Sequence, residues 1–391
     1  MRTRTWWFLG CLAAAGCGDA AVTEAPDACL EIAAQCLVNQ QGCLADSAGP
    51  RCVPCAAGSY ADGSGACAPI AGSPLTHAFA DFTTSAGEEI LGLCQSWTLG
   101  NETELWVNAV ELVQGESSHH SNWTFVPSDH FEGPDGVWDC DERNYNQLSA
   151  ALAGGVLYAQ STQAAKEVQK FPNRAAVRIP PYSRIIGDVH VLNTTAAPVT
   201  GHAELTIYTL PAEEVGVKLA PFHITYDGLD IPPLSTSRFT GECALDETFQ
   251  NVTKGPLDMI LYYSLPHTHA QGRRVFLEVI GGPNDGQSLL DVSGFNGEAR
   301  GIAYATPVDL AGATGFRFGC EFENPRQESI GWGFGDQEMC EMLGFAEAEI
   351  AFESRIETAE SAGTEGPMQL FTGPCDTIGF KWEDRPGGPP P

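Results

Sequence analysis

Four of the nine histidines and one of the five methionines fall in three short phrases: His119-His120, His267-Thr268-His269 and Asp336-Gln337-Glu338-Met339-Cys340. A fifth histidine, His190, stands alone in Asp188-Val189-His190-Val191-Leu192-Asn193. Imidazoles beside a soft thioether form a ligand set that suits copper, Cu(I) in particular, and suits zinc poorly. On a strand, residues i and i+2 project from one face, so His267 and His269 can reach the same ion. Neighbours on a regular strand point to opposite faces, so His119 and His120 can share an ion only at a bulge or a strand end. Each phrase alone has a plainer reading. An HxH pair can be two surface histidines, a strand methionine usually packs a core, and His190 between valines fits a satisfied buried histidine.

The elements that must carry these residues read as β-structure. Glu104-Leu105-Trp106-Val107, Ala203 to Tyr208 and Val275 to Ile280 are short apolar or alternating runs punctuated by Gly, Pro, Asp and Asn. Helical patterns are confined to 144–157 and 162–169. The expected fold is all-β: two tandem antiparallel β-sandwich, jelly-roll-like domains, 75–212 and 213–385, behind a small disulfide-rich N-terminal module. A boundary near 211–215 separates the half with His119, His120 and His190 from the half with His267, His269 and Met339. Residues 386–391 form a Pro-rich tail expected to be disordered.

The chain opens with Arg2 and Arg4 before an apolar run, Trp6 to Ala15, too short for a stable membrane anchor. Residues 1–16 therefore read as an export signal. Leu12-Ala13-Ala14-Ala15-Gly16-Cys17 is similar to a bacterial lipobox, which would make Cys17 the lipidated first residue of the mature chain. Residues 17–28 are a polar spacer. Of the 14 cysteines, setting aside Cys11 and Cys17 leaves six in the module at 29–70 and six from Cys94 to Cys375. Even numbers in an exported chain point to disulfides and an oxidising compartment. Cys52-Val53-Pro54-Cys55 could be a redox or zinc pair, but its four neighbouring cysteines favour a structural role. The expected location is a bacterial membrane surface, periplasmic or cell-surface, reached only through the lipid anchor.

A net charge of −30, from 50 acidic and 20 basic residues, excludes nucleic acid and anionic lipid as natural partners. Its plain explanation is solubility.

In family order, the ligand phrases resemble the copper type II, ascorbate-dependent monooxygenases, the family of peptidylglycine α-hydroxylating monooxygenase and dopamine β-hydroxylase. His267-Thr268-His269-Ala270-Gln271-Gly272-Arg273-Arg274-Val275 is similar to the family's HTHxxGRxV segment. Cys320, then Gly333-Phe334-Gly335 and Glu338-Met339-Cys340, resemble its methionine hairpin. His119-His120 matches the tandem pair and His190 the third ligand of the first domain. The resemblance implies disulfides Cys94–Cys140, Cys320–Cys340 and Cys243–Cys375, each worth roughly 2–4 kcal/mol.

It also implies chemistry. His119, His120 and His190 would hold an electron-storing copper, and His267, His269 and Met339 a second copper where O2 meets a substrate C–H bond. Ascorbate or an equivalent one-electron donor would reduce both ions. The sites are expected to face each other across an open, wet cleft. The peptide-hydroxylating branch grips a carboxylate at positions that here are Leu265, Glu341 and Leu343, so a C-terminal peptide carboxylate is excluded as substrate. Met339, Glu341 and Leu343 share a strand face by period, so Glu341 is expected to border the pocket. A cationic or neutral small molecule remains. Two rival classes are a surface copper-binding lipoprotein without turnover and a structural or adhesive surface protein. The second draws on the Cys-rich module and the Asn-X-Thr sequons at Asn101, Asn122, Asn193 and Asn251. It leaves six ligands in order unexplained.

Overall fold

The computed structural model describes residues 27–381, apart from 39, 116, 161–163, 294–300 and 334–335. The segment expected to be an export signal, Cys17, most of the expected spacer, Phe334-Gly335 and the Pro-rich tail lie outside the described residues. The chain divides into two compact units, Met1–Pro69 and Ile70–Pro391.

In the first unit a short helix, Ala33–Val38, precedes two hairpins, Gln41–Asp46 with Gly49–Pro54 and Ser59–Ala61 with Cys67–Pro69. So few residues bury little apolar surface, and covalent bonds take over. The bridges are Cys29–Cys43, Cys36–Cys52 and Cys55–Cys67. Cys52 and Cys55 thus bond to different partners and do not form a pair with each other. Gly42 has to be glycine, because a Cβ there would lie 2.3 Å from Cys67 Sγ.

The second unit consists of β-sandwiches, as the alternating runs require. A five-stranded antiparallel sheet runs Gly136–Asp139, Glu89–Thr98, Ser183–Leu192, Ser118–Pro127, Gly155–Gln160. A six-stranded sheet centres on Gly272–Ile280, Gly315–Asn324 and Ser235–Ala244. Between the two halves lies an eleven-stranded sheet whose strands come from both. Its joint is a parallel pair, Ala175–Ile179 against Val217–Thr225, with Val177 opposite Leu219. One hydrophobic core packs Phe239, Val275, Leu277, Phe316 and Phe318 against Phe222, Ile224 and Leu261. The other joins Trp123, Phe125, Ile185 and Leu205 to Leu265 and Phe345 from the far half. Apolar packing therefore continues across the connection at 211–215.

Cys94–Cys140, Cys243–Cys375 and Cys320–Cys340 are bonded, the pairings the family resemblance implies. The first ties the Glu89–Thr98 strand to the short helical turn Cys140–Arg143, and the third ties the Gly315–Asn324 strand to the residue after Met339.

Two local expectations need correction. The helix at 144–157 shrinks to Gln147–Ala153, capped by Asn146, whose side chain accepts from Ser149 N. Of the helix expected at 162–169, residues 162–163 lie outside the described residues and Lys166–Lys170 is instead a strand, paired antiparallel with Leu105–Gln114. Its side chains alternate, with Glu167 and Gln169 buried, and Lys166 pairs with the buried Glu111 at 2.8 Å. Polar residues buried inside the sheet conceal the period of two that marks a strand.

Candidate metal centre

The tandem histidines lie on the Ser118–Pro127 strand, beside the strand that carries His190. His120 stands opposite His190, whereas the next partner of Val191 is Ser118. His119 is therefore an extra residue, the bulge that two consecutive ligands need. The other side of His190 is interrupted too: Val189 pairs with Leu93 and Val191 with Ile90, with Gly92 between them at φ +75°. Released from strict alternation, the three rings converge. Their centroids lie 5.2 Å (His119–His120), 4.8 Å (His119–His190) and 4.9 Å (His120–His190) apart.

His190 is oriented from behind. Its Nε2 donates to Glu89 Oε1 at 2.8 Å, which leaves Nδ1 facing His120 Nε2 at 3.1 Å. A carboxylate on the outer nitrogen of a ligand histidine sets both tautomer and ring plane.

His267 ends the Ile260–His267 strand, opposite Glu341 of the Glu341–Glu347 strand. His269 lies beyond the strand end, so the two do not share a strand face as expected; the following turn brings their rings together at 5.1 Å, nearly perpendicular. Glu338 holds that turn, its carboxylate accepting from His269 N at 2.8 Å and Gln271 N at 2.6 Å. Gly272 closes it, because a Cβ there would lie 2.0 Å from Thr268 Oγ1. This contact gives the glycine of the HTHxxG phrase a steric reason. His269 Nδ1 donates to Gln337 O at 2.8 Å. Its Nε2 is buried with no hydrogen-bond partner. An imidazole acceptor nitrogen in that state loses water and gains nothing, unless an ion takes its lone pair.

Met339 is buried, 4% exposed, and lines a cavity of about 380 Å³ together with His120 and His267. Glu341, Leu343 and Leu265 line it as well. Met339 precedes the Glu341–Glu347 strand, so the three do not share a strand face as expected, although all of them border this one space.

The two ligand sets do not face each other across an open cleft. His120 lies 5.1 Å from His267 and 6.0 Å from His269, ring centre to ring centre. Within the set His119, His120 and His190, and again within His120, His267 and His269, one nitrogen from each ring lies within 4.8 Å of the others. The expectation of separation fails because the shared sheet and the core through Leu265 and Phe345 draw the halves together.

The electrostatics keep these rings neutral. Burial, and then neighbouring imidazoles, lower His119 to about 4 and His267 to about 3. His120 lies well below its ordinary value for the same reasons. Burial lowers His190 as well, against an upward pull from Glu89. Neutral imidazoles offer lone pairs, the form that metal ligation requires. Five clustered imidazoles, a thioether and one orphaned ring nitrogen fit a soft or borderline metal better than a hard oxygen-seeking one.

Sequence reading missed a second cluster on the cavity wall. His223 Nδ1 meets Glu353 at 3.0 Å and its Nε2 lies 3.8 Å from Glu341. Burial works against a charge on His223, but the two carboxylates outweigh it and raise its pKa well above the ordinary value. Nothing in the local sequence marks His223, because its partners come from strands more than a hundred residues away. Glu89, 101 residues from His190, and Glu338, 69 residues from His269, were missed as supports because these partners too lie on distant segments.

No family model and no curated protein matches the chain. Among solved structures it is similar to the major capsid protein P2 from bacteriophage PM2, at 8% identity and TM-score 0.28, covering 68% of this chain and 97% of that one. It is also similar to PBCV-1 VP54 fitted into the virophage Sputnik, at 6% identity and TM-score 0.24, covering 71% and 94%. A third likeness is to the PBSX exported protein XepA, at 9% identity and TM-score 0.19, covering 78% and 98%. Likeness this slight carries no argument about function.

Proposed function

We propose that the chain is a copper-dependent monooxygenase that hydroxylates a C–H bond of a small organic substrate, using O2 and a one-electron reductant such as ascorbate. The observation that carries this reading is the buried, unpartnered His269 Nε2 in a cluster of five imidazoles, beside a cavity that Met339 lines. Copper held by His267, His269 and Met339 would activate O2, and copper held by His119, His120 and His190 would supply the second electron.

The chain's own residues do the positioning. Glu89 turns His190 inward, Glu338 fixes the His269 turn, and the Cys320–Cys340 bridge anchors the residue next to Met339. The cavity would take the substrate beside the thioether. Arg355, the one guanidinium among the described lining residues, lies 3.2 Å from Asp227 and 3.6 Å from Glu353. With its charge already matched, it is poorly placed to grip a carboxylate substrate. Storage of copper without turnover would need no such cavity next to the ligands.

The same reading places the protein outside the cytoplasm, lipid-anchored to a bacterial membrane. Six disulfides among the described residues favour an oxidising compartment. No helix among the described residues is long and apolar enough to cross a membrane.

The deciding experiment is oxygen uptake by the copper-loaded full chain with ascorbate and a panel of neutral and amine substrates, beside Met339→Ala. Substrate-dependent uptake that Met339→Ala abolishes supports the enzyme. Copper bound and reduced by ascorbate, with no coupled uptake, transfers the reading to a copper-binding surface lipoprotein.

A further inference from the structure

The cavity beside Met339 carries its charges unevenly. On one wall they are matched: His223 lies 3.0 Å from Glu353 and 3.8 Å from Glu341, and Arg355 lies 3.6 Å from Glu353 and 3.2 Å from Asp227. Asp188 lines the opposite half, and no cationic side chain among the described residues forms an ion pair with it. Its Oδ2 accepts from Gln147 Nε2 at 2.7 Å. Its Oδ1 lies 3.8 Å from Cys140 Sγ, which is bonded to Cys94 and has no proton to give. A half-buried carboxylate supported by one neutral amide is under-compensated for the water it has lost.

That carboxylate also sets the direction of the amides beside it. An ionised Asp188 can only accept, so Gln147 presents its nitrogen, and Gln147 Oε1 then accepts from Asn122 Nδ2 at 3.0 Å. Asn122 is left with Oδ1, an acceptor. Strand register puts the two residues together: Asp188 stands opposite Asn122, as His190 stands opposite His120 on the next rung. Residues two apart on a strand share a face and are separated by about 7 Å, so both rungs point the same way. Leu148, Ala151 and Val156 add apolar surface on this side, and Leu265 and Leu343 on the other.

We infer that Asp188, with Asn122 beside it, selects the charge of the substrate, holding a primary ammonium group while the apolar part of a small organic amine fills the cavity next to Met339. Glu341, already facing His223, is not the selecting residue. This rests on the monooxygenase reading for the reaction that follows, but the binding itself needs no metal. An ammonium brings three donors and a positive charge to two acceptor oxygens and an unmatched carboxylate. An alcohol brings one donor and no charge, and a carboxylate substrate adds a second negative charge.

The test uses the full chain freed of metal by a chelator, so that an amine cannot bind through copper. Isothermal calorimetry compares benzylamine, benzyl alcohol and benzoate, probes of similar size that differ in charge. Benzylamine should bind about tenfold or more tightly than benzyl alcohol, the gain expected of a charge-assisted hydrogen bond, and benzoate should bind least. Asp188→Asn retains an oxygen for Gln147 and should remove the preference for the amine. Equal affinity for the probes, or no binding of the amine, would overturn the anchor. A preference that survives Asp188→Asn would overturn it too, and its loss in Glu341→Gln would transfer the selection to Glu341.

Circular dichroism of both variants verifies that the sheets persist, so that a folding failure is not taken for loss of the anchor. Copper per chain is counted separately by elemental analysis. Two coppers without a preference for the amine would overturn the anchor and leave the copper reading intact. A preference for the amine with fewer than two coppers would do the reverse.

Discussion

His120 Nε2 and His190 Nδ1 face each other at 3.1 Å across adjacent strands, because an extra residue, His119, shifts the ladder by one position. The contact puts two ring nitrogens within reach of one ion. Removing the bulge should undo it. Deleting His119 restores regular pairing, and the expected outcome is loss of the first copper while the second is retained in weakened form. Copper titration followed by isothermal calorimetry measures both steps.

Among the ligands Glu89 hydrogen-bonds His190, with its carboxylate 2.8 Å from Nε2. Glu89→Ala should lower copper affinity at the first set by roughly 10- to 100-fold, the range seen when the outer partner of a ligand histidine is removed. Glu89→Gln, which keeps an acceptor oxygen, should fall between. Chelator competition against the full chain measures the affinities, and unchanged affinity in Glu89→Ala would show that packing alone orients the ring.

Gly272 lies so close to Thr268 that a methyl group has no room, at 2.0 Å from Oγ1 and 2.6 Å from Cβ. Gly272→Ala should therefore destabilise the chain by about 1–3 kcal/mol through overpacking. It should also separate His267 from His269, so that copper no longer restores the lost stability. Thermal melts with and without copper reveal both effects.

Glu338 supplies both acceptors for the backbone of the turn, at His269 N and Gln271 N, and is 1% exposed. Burial raises its pKa while the two N–H groups pull it down. Glu338→Ala leaves those half-buried donors unmatched, at a cost of up to about 1–3 kcal/mol each, less whatever water recovers. Glu338→Gln can accept with one oxygen only and should cost less. Urea denaturation of the metal-free forms ranks the three chains.

The buried imidazoles make the metal-free chain acid-sensitive. The folded values, about 4 for His119 and about 3 for His267, lie below the ordinary 6.5. Below the ordinary value the unfolded chain binds protons that the folded chain refuses, so stability falls as pH drops from 6.5 toward the folded values. His223 works in the opposite direction. Its folded pKa is raised, so its contribution is complete below the ordinary value and is lost as pH climbs through the folded one. Urea midpoints across pH should fall on the acid side with a slope that His267→Asn reduces. On the alkaline side they should decline with a slope that His223→Asn removes.

Much of this was legible in the sequence. The alternating runs around 203–208 and 275–280 gave strands, because a side-chain period of two is a local property. Even cysteine counts predicted disulfides, and the phrases around His119, His267 and Met339 singled out residues that the fold gathers round one cavity and one ring cluster. The demand for a bulge at the tandem histidines also follows from local geometry alone. What the sequence could not supply depends on register and on contacts between distant segments. Glu89 meets His190 from 101 residues away, and His223 meets Glu353 from 130. Lys166–Lys170 became a strand because Glu111 and its neighbours were there to pair with it. The expected separation of the two ligand sets fails for the same reason. Residue spacing along the chain sets which side chains can share an ion, but only the sheet continuing through Ala175–Ile179 and Val217–Thr225 brings the two halves, and with them His120 and His267, into contact.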